Sequence, residues 1–272
     1  MAESERLDAR VVAEGYATGR DKAKELIRAG AITVDGKPIT KPSATVADSA
    51  VVTCTVEASR YVGRGGLKLE AALRAVSPLP QPCVAMDVGA STGGFTHCML
   101  LGGVDRVYAI DVGHGQLHPT LASDPRVVNL EGTDIRDQES LSAVIPPHSV
   151  DLLSMDVSFI SVRTVLPSVF DYLREGARLL ILIKPQFEAG RADVGKNGIV
   201  RDRRVHVRIL RELCELFSAL NCALQSLTAS PITGGAGRSE GNIEYVASLV
   251  YGGEQTIPPD IRQLVDTTFS RH

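Results

Sequence analysis

The chain of 272 residues is 44% hydrophobic and 22% charged, an ordinary globular composition with enough apolar residues for one large or two unequal cores. Its formal net charge of −3 excludes a uniformly basic surface, so a site for a polyanion has to arise from local segregation of charge. Five cysteines without a CxxC pair and six histidines without an HExxH spacing predict a reducing compartment and no metal centre.

The opening stretch Met1-Ala-Glu-Ser-Glu-Arg6 carries acids where a secretory leader needs positive charge and an apolar run. The longest apolar run, Leu179–Ile183, is far too short for a bilayer. The expectation is a cytoplasmic protein without a membrane partner. Leu7, Val11 and Val12 then give helical spacing, Gly15 and Gly19 interrupt it, and Arg20–Ala29 resumes it. On this second helix Ala23, Leu26 and Ile27 share one side, while Arg20, Lys24 and Arg28 share another. The Asp35-Gly36 pair between two β-prone stretches predicts a hairpin, and Val51–Val56 reads as a further strand.

Residues 1–59 hold eight Lys/Arg against nine Asp/Glu, a net of −1, so any grip on a polyanion here depends on one helix face. A lone basic stripe also suits a plainly solvated helix. The order of the pieces resembles the alpha-L RNA-binding domain shared by a small-subunit ribosomal protein, pseudouridine synthases and tyrosyl-tRNA synthetase. The matching residues are Arg6-Leu-Asp8 and Arg20-x-x-Ala23-x-x-Leu26-Ile27-x-x-Gly30-x-Ile32-x-Val34-x-Gly36. The resemblance implies a small α+β domain whose Arg20, Lys24 and Arg28 lie against RNA phosphates, positioning without reading bases.

A second domain is expected over 60–272, with 60–82 as linker and lead-in helix. Gly63, Gly65 and Gly66 predict a loop, Leu67–Val76 a helix, and Pro78-Leu-Pro-Gln-Pro82 its end. Arg60, Arg64, Lys68 and Arg74 face only Glu70 in this segment, making it locally positive. From Cys83 onward, apolar stretches alternate with helical ones as in an open α/β sheet. The predicted strands are Val84–Val88, Arg106–Ile110, Val127–Leu130, Val150–Met155, Ala177–Lys184 and Glu244–Val250.

The first of these strands ends in Gly89-Ala90-Ser91-Thr92-Gly93-Gly94-Phe95, a glycine-rich turn that lets main chain approach a nucleotide-like ligand and frees helix N–H groups. The spacing is neither GxGxxG nor a phosphate-cradling loop. Asp87 beside it repels phosphate but suits an ammonium group, which favours S-adenosylmethionine over NAD or ATP. Asp111 ends the second strand, where an acid takes both ribose hydroxyls. Asp134 comes after the third and suits an adenine amino group. Each of the three acids also reads as a helix N-cap.

Two further polar residues close strands. Asp156 comes directly after Val150–Met155, and Lys184 ends the apolar run Leu179–Ile183 at the carboxyl edge of the sheet, where such folds bind ligands. A lysine there also suits a snorkelling strand end. Next to an activated methyl group it has a use as the base for a ribose 2′-hydroxyl, a weak nucleophile that has to shed its proton.

Longer motifs carry a resemblance over nearly the whole chain: Tyr61-Val-x-Arg64-Gly-Gly-x-Lys68-Leu, Asp87-Val-Gly-Ala-Ser-Thr-Gly-Gly-Phe-Thr96, Tyr108-Ala-Ile-Asp-Val-Gly-His-Gly-Gln-Leu117, Asp156-Val-Ser-Phe-Ile-Ser161, Lys184-Pro-Gln-Phe-Glu188 and Gly195-Lys-x-Gly-Ile-Val-Arg-Asp202. They resemble the TlyA family of ribosomal RNA 2′-O-methyltransferases, historically labelled haemolysin A, with an FtsJ-like catalytic domain. The resemblance implies a Rossmann-like α/β fold, S-adenosylmethionine as methyl donor, and ribosomal RNA or ribosomal subunits as partner, with cytidine modified. It also implies a Lys-Asp-Lys-Glu tetrad of Lys68, Asp156, Lys184 and Glu244.

Glu240 competes with Glu244 for the last place, and Glu244 is preferred because it opens a strand directly. Gly63 departs from the serine of the family's motif, a change at the hinge. Residues 184–211 hold eight Lys/Arg against three Asp/Glu, a local +5 able to grip RNA backbone. Two other readings, a non-catalytic RNA-binding assembly factor and a haemolysin, predict respectively lost tetrad residues and a spanning or strongly amphipathic segment. The sequence has neither, and it sets no oligomeric state.

Overall fold

Asp35 and Gly36 turn the predicted hairpin with both residues in the left-handed region, at φ 50° and 76°. The computed structural model describes residues 4–14, 16–17, 19–54, 61–195, 197–234, 241–254 and 260–271. They fall into two units, one through Val62 and one from Gly63 onward.

The first unit runs β1 (Ser4–Arg6), α1 (Leu7–Ala13), α2 (Arg20–Arg28), β2 (Ile32–Val34), β3 (Lys37–Pro38), β4 (Thr45–Ala47) and β5 (Val52–Cys54). β2 pairs antiparallel with β3 and β5, and β1 pairs antiparallel with β4. Leu7 and Val11 from α1, Ala23 and Ile27 from α2, and Ile32, Val46 and Val52 from the strands form one small core. The strand expected over Val51–Val56 covers Val52–Cys54, and residues 55–60 lie outside the described residues. β1 left no signal because Ser4–Arg6 has no apolar alternation.

The second unit runs α3 (Gly65–Ala75), β6 (Val84–Val88), α4 (Gly94–Leu101), β7 (Arg106–Asp111), α5 (Pro119–Ala122), β8 (Val127–Glu131), α6 (Gln138–Ser142) and β9 (Val150–Met155). It continues with α7 (Val162–Val165), β10 (Leu173–Ile183), α8 (Pro185–Glu188), α9 (Arg203–Ala219), β11 (Cys222–Ala229), β12 (Tyr245–Tyr251) and α10 (Ile261–Phe269). The strands form one seven-stranded sheet in the order β11-β12-β10-β9-β6-β7-β8. All neighbours from β10 to β8 are parallel, whereas β12 runs antiparallel to both β10 and β11.

The central strands are buried on both faces, which is why β9 and the Leu179–Ile183 stretch of β10 read as continuous rather than alternating runs. The chain reverses direction across the sheet at β6, flanked by β7 and β9, so a crevice opens beyond its carboxyl end. Some predicted boundaries move. Lys184 lies just past β10 and Glu244 just before β12, because their charges stop the buried ladder. β11 was not anticipated.

The helix expected from Leu67 begins at Gly65, so two glycines assigned to a loop lie inside α3. They let α3 approach the start of α4. A Cβ on Gly94 would stand 3.0 Å from the Gly66 nitrogen and 3.2 Å from the Gly65 Cα.

Candidate active site

The turn after β6 is shaped by backbone crowding. Gly89 has φ 84°, and a Cβ there would stand 2.5 Å from the carbonyl oxygen of Asp156, so only glycine fits. Gly93, at φ 91°, begins α4 with its missing side chain against Leu117 and Leu121. Beneath the turn, Asp87 is fully buried and accepts from Thr96 Oγ at 2.6 Å and Ser154 Oγ at 2.8 Å. Burial pushes its carboxyl up to about 6 despite those two hydroxyls.

Two hollows meet at this turn. The larger, about 500 Å³, has Gly89, Ser91, Asp111, Asp134 and Asp156 among polar wall residues and Ile110, Ile135 and Val165 among apolar ones. The smaller, about 230 Å³, includes Arg64, Lys68, Phe95 and Thr233, and shares Gly89, Ser91 and Asp156 with the first. Ala90 and Gly94 line the smaller hollow only. Asp87 lines neither hollow, and both of its carboxylate oxygens are taken up by Thr96 and Ser154. It locks β6, α4 and β9 together under the turn.

Asp111 accepts from the Ser91 N–H at 2.8 Å and the Gly113 N–H at 2.7 Å, tying the end of β7 to the glycine turn. Asp134 pairs with Arg136 at 2.5 Å, and this guanidinium holds its carboxyl below the usual range. None of the three acids Asp87, Asp111 and Asp134 is a helix N-cap. Asp137 caps α6 instead.

Four charged residues from distant parts of the second unit form two close pairs. Lys184 Nζ lies 2.5 Å from Asp156 Oδ1 and donates to Ser158 Oγ at 2.8 Å. The Asp156 contact is one of opposite charges rather than an aligned hydrogen bond, and Oδ1 has no hydrogen-bond partner among the described residues. Lys68 donates to Glu244 Oε2 at 2.6 Å. A Cβ on Gly234 would collide with the Glu244 carboxylate, so that glycine makes room for the pair.

Ser158, Ser154, Gly234 and Glu188 were missed from the sequence as parts of this region. Glu131 was missed too, although its place at the end of β8, opposite Asp111 in register, was a usable signal. It accepts from the Gln116 N–H at 2.5 Å and the Leu117 N–H at 3.0 Å, bracing the loop beside the larger hollow.

On α2, Ala23 and Ile27 are buried while Arg20 and Arg28 stand exposed, and Lys24 pairs with Asp21 at 2.8 Å. Arg64 donates to the Thr233 carbonyl at 3.3 Å. Arg60 and the rival Glu240 lie outside the described residues. Among the described residues no His, Cys, Asp or Glu group suits a metal ion, and no helix is long and apolar enough to cross a membrane.

Residues 61–251 match the FtsJ-like methyltransferase family and residues 5–52 match the S4 domain. The 16S/23S rRNA (cytidine-2′-O)-methyltransferase TlyA of Mycobacterium tuberculosis (strain ATCC 25618 / H37Rv) is 39% identical over 246 residues, 90% of this chain and 89% of that protein. This chain belongs to the TlyA family of FtsJ-like methyltransferases. Hemolysin A of Brachyspira hyodysenteriae is 39% identical over 249 residues, 90% of this chain and 99% of that protein.

A solved structure from Streptococcus thermophilus that bears a hemolysin label has a TM-score of 0.75 at 35% identity, covering 99% of this chain and 97% of that one. In this TlyA-family protein the first unit is an S4 domain and the seven-stranded unit is the methyltransferase domain. The hemolysin label of its relatives is historical.

Proposed function

We propose that this protein transfers a methyl group from S-adenosylmethionine to the ribose 2′-hydroxyl of a cytidine in ribosomal RNA, acting in the cytoplasm on ribosomal subunits. The observation that carries the reading is the 2.5 Å contact between Lys184 and Asp156, because Asp156 lines both hollows. The larger hollow fits the methyl donor: its carboxylates suit a cationic nucleoside, its apolar wall suits an adenine face, and Gly89 admits main chain close to the ligand.

Bound S-adenosylmethionine supplies a methyl group on a positively charged sulfur, open to in-line attack. Asp111 holds the ribose hydroxyls with the lone pairs left over from Ser91 and Gly113, and Asp134 accepts from the adenine amino group. Gly89, Ala90, Ser91, Gly93, Gly94 and Phe95 form the loop that receives the ligand, and Asp87 braces it from beneath. Lys184 Nζ, as the neutral amine once its own proton has passed to solvent, takes the proton from the 2′-hydroxyl as the oxygen attacks, while Asp156 and Ser158 orient the amine. Lys68 and Glu244 hold the nucleotide and the proton network, acting as a coupled set with the other pair. Arg20, Lys24 and Arg28 of residues 1–59, with Arg60 and Arg64 of residues 60–272, hold RNA phosphates by charge.

The test incubates purified protein and labelled S-adenosylmethionine with ribosomal subunits from cells lacking the gene, then maps 2′-O-methylation by nuclease digestion and mass spectrometry. A ribose-methylated cytidine that disappears in Lys184→Ala is the expected result. Methyl on a base, or full activity in Lys184→Ala, would overturn the reading.

A further inference from the structure

The loop after β9 and the turn after β10 touch at three successive places. Lys184 meets Asp156 and Ser158 at the first. The rings of Phe159 and Phe187 lie 5.1 Å apart, centre to centre, at the second. At the third, Glu188 accepts from Ser161 Oγ at 2.6 Å and from the Val162 N–H at 2.7 Å. Its side chain is 1% exposed, and Arg163 Nε stands 3.6 Å away. Arg163 also donates to Glu212 of α9 at 2.8 Å, which anchors this end of the loop to a long helix.

We infer that Glu188 is a positioning residue, which sets the Lys184–Asp156 contact by fastening the far ends of the two segments that carry it. Glu188 lines neither hollow, so it acts through other residues. Between Lys184 and Glu188 lies only the single turn of α8, with Pro185 at its start, a segment with little freedom to change length. On the other side, Phe159 has φ 64° while the residue is 91% exposed. Left-handed backbone is costly for a bulky residue, and burial of the ring does not offset it here.

That conformation therefore depends on what holds its neighbours. Ser158 is bonded to Lys184 on one side, and Ser161 and Val162 are bonded to Glu188 on the other. Without the carboxylate, Ser161 Oγ and the Val162 N–H lose their acceptor at the head of α7 while Arg163 keeps only Glu212, the loop is free to relax, and Asp156 no longer meets Lys184 at a fixed distance.

The inference rests on Lys184 as the base, so its test needs one measurement that does not depend on the reaction. Full-length wild type, Glu188→Ala, Glu188→Gln and Ser161→Ala are briefly treated with acetic anhydride, and the acetylation rate of each lysine is read by mass spectrometry. In Glu188→Ala the rate at Lys184 is expected to rise at least threefold relative to the other lysines. In Glu188→Gln, whose amide still accepts from Val162 and donates to Ser161, it stays near wild type, and Ser161→Ala falls between. In the methylation assay Glu188→Ala lowers kcat at least tenfold with KM for S-adenosylmethionine within twofold, and Glu188→Gln recovers most of that loss.

An unchanged Lys184 rate in Glu188→Ala overturns the inference, as does a loss of kcat matched by an equal rise in KM. Should Glu188→Ala not fold, Ser161→Ala with an unchanged Lys184 rate overturns it equally. Failure of wild type to methylate a 2′-hydroxyl counts against the proposed function and leaves the acetylation result standing on its own.

Discussion

The two units use charge in opposite ways. On α2 of the S4 domain, Arg20 and Arg28 stand in solvent and the Lys24 side chain is 34% exposed beside Asp21. In the methyltransferase domain Lys184 and Lys68 are only 10% and 12% exposed, and each is held against a carboxylate. Exposed cations act over roughly a Debye length, tolerate one another's replacement and fade with salt. Buried pairs are short-range, and removing one partner strands the other. The first kind of surface suits a grip on a polyanion, the second a fixed geometry.

The sharpest break of this comparison is Lys184→Ala. Methyl transfer should fall by roughly 10²–10⁴-fold, the range for losing a general base, while calorimetric affinity for S-adenosylmethionine holds. Next is Glu244→Ala, which leaves the Lys68 ammonium without its anion and should cost about 3 kcal/mol, read from the midpoint of urea unfolding.

A comparable but pH-dependent effect belongs to Asp87. Burial raises its carboxyl from 3.8 to about 6, so the folded state binds more protons than the unfolded chain between those values. Stability therefore falls as pH rises from about 4 to about 6, and a cost on the order of 3 kcal/mol persists above. Asp87→Asn, satisfying the same hydroxyls, should be more stable than wild type at pH 8, with the difference vanishing near pH 4.

The smallest effect is expected in the other unit. Arg20→Glu with Lys24→Glu should weaken binding to ribosomal RNA by about tenfold at low salt and flatten its salt dependence, with cofactor affinity unchanged. An equal loss of cofactor affinity would break the division between the units.

Much of this organisation was legible in the sequence for identifiable reasons. The Asp35-Gly36 turn, the amphipathic α2 and the apolar runs of β6, β7, β9 and β10 are local signals, each fixed by period or by turn chemistry. Asp111, Asp156 and Lys184 drew attention because an ionisable group at the end of a buried strand has few places to go, and Asp134 because it follows the next strand in order. What escaped was set by tertiary contact. Gly65 and Gly66 read as a loop because nothing local reveals that α4 approaches them. That Thr96 and Ser154 fasten Asp87 could not be read, because those partners come from α4 and β9. Ser158 and Glu188 lay unremarked inside recognisable motifs, since their partners sit on a neighbouring segment.

Gly89 touches the Asp156 carbonyl main chain to main chain, so the span between the glycine turn and the first acid of the lysine pair is gauged by the spacing of adjacent strands, about 4.8 Å. Side-chain rotamers can retune a site by an ångström or more, whereas the spacing of paired strands is fixed by their main-chain hydrogen bonds. A site built on such a gauge can change which RNA it receives by altering loops and surface charge while its reach from donor to acceptor stays constant.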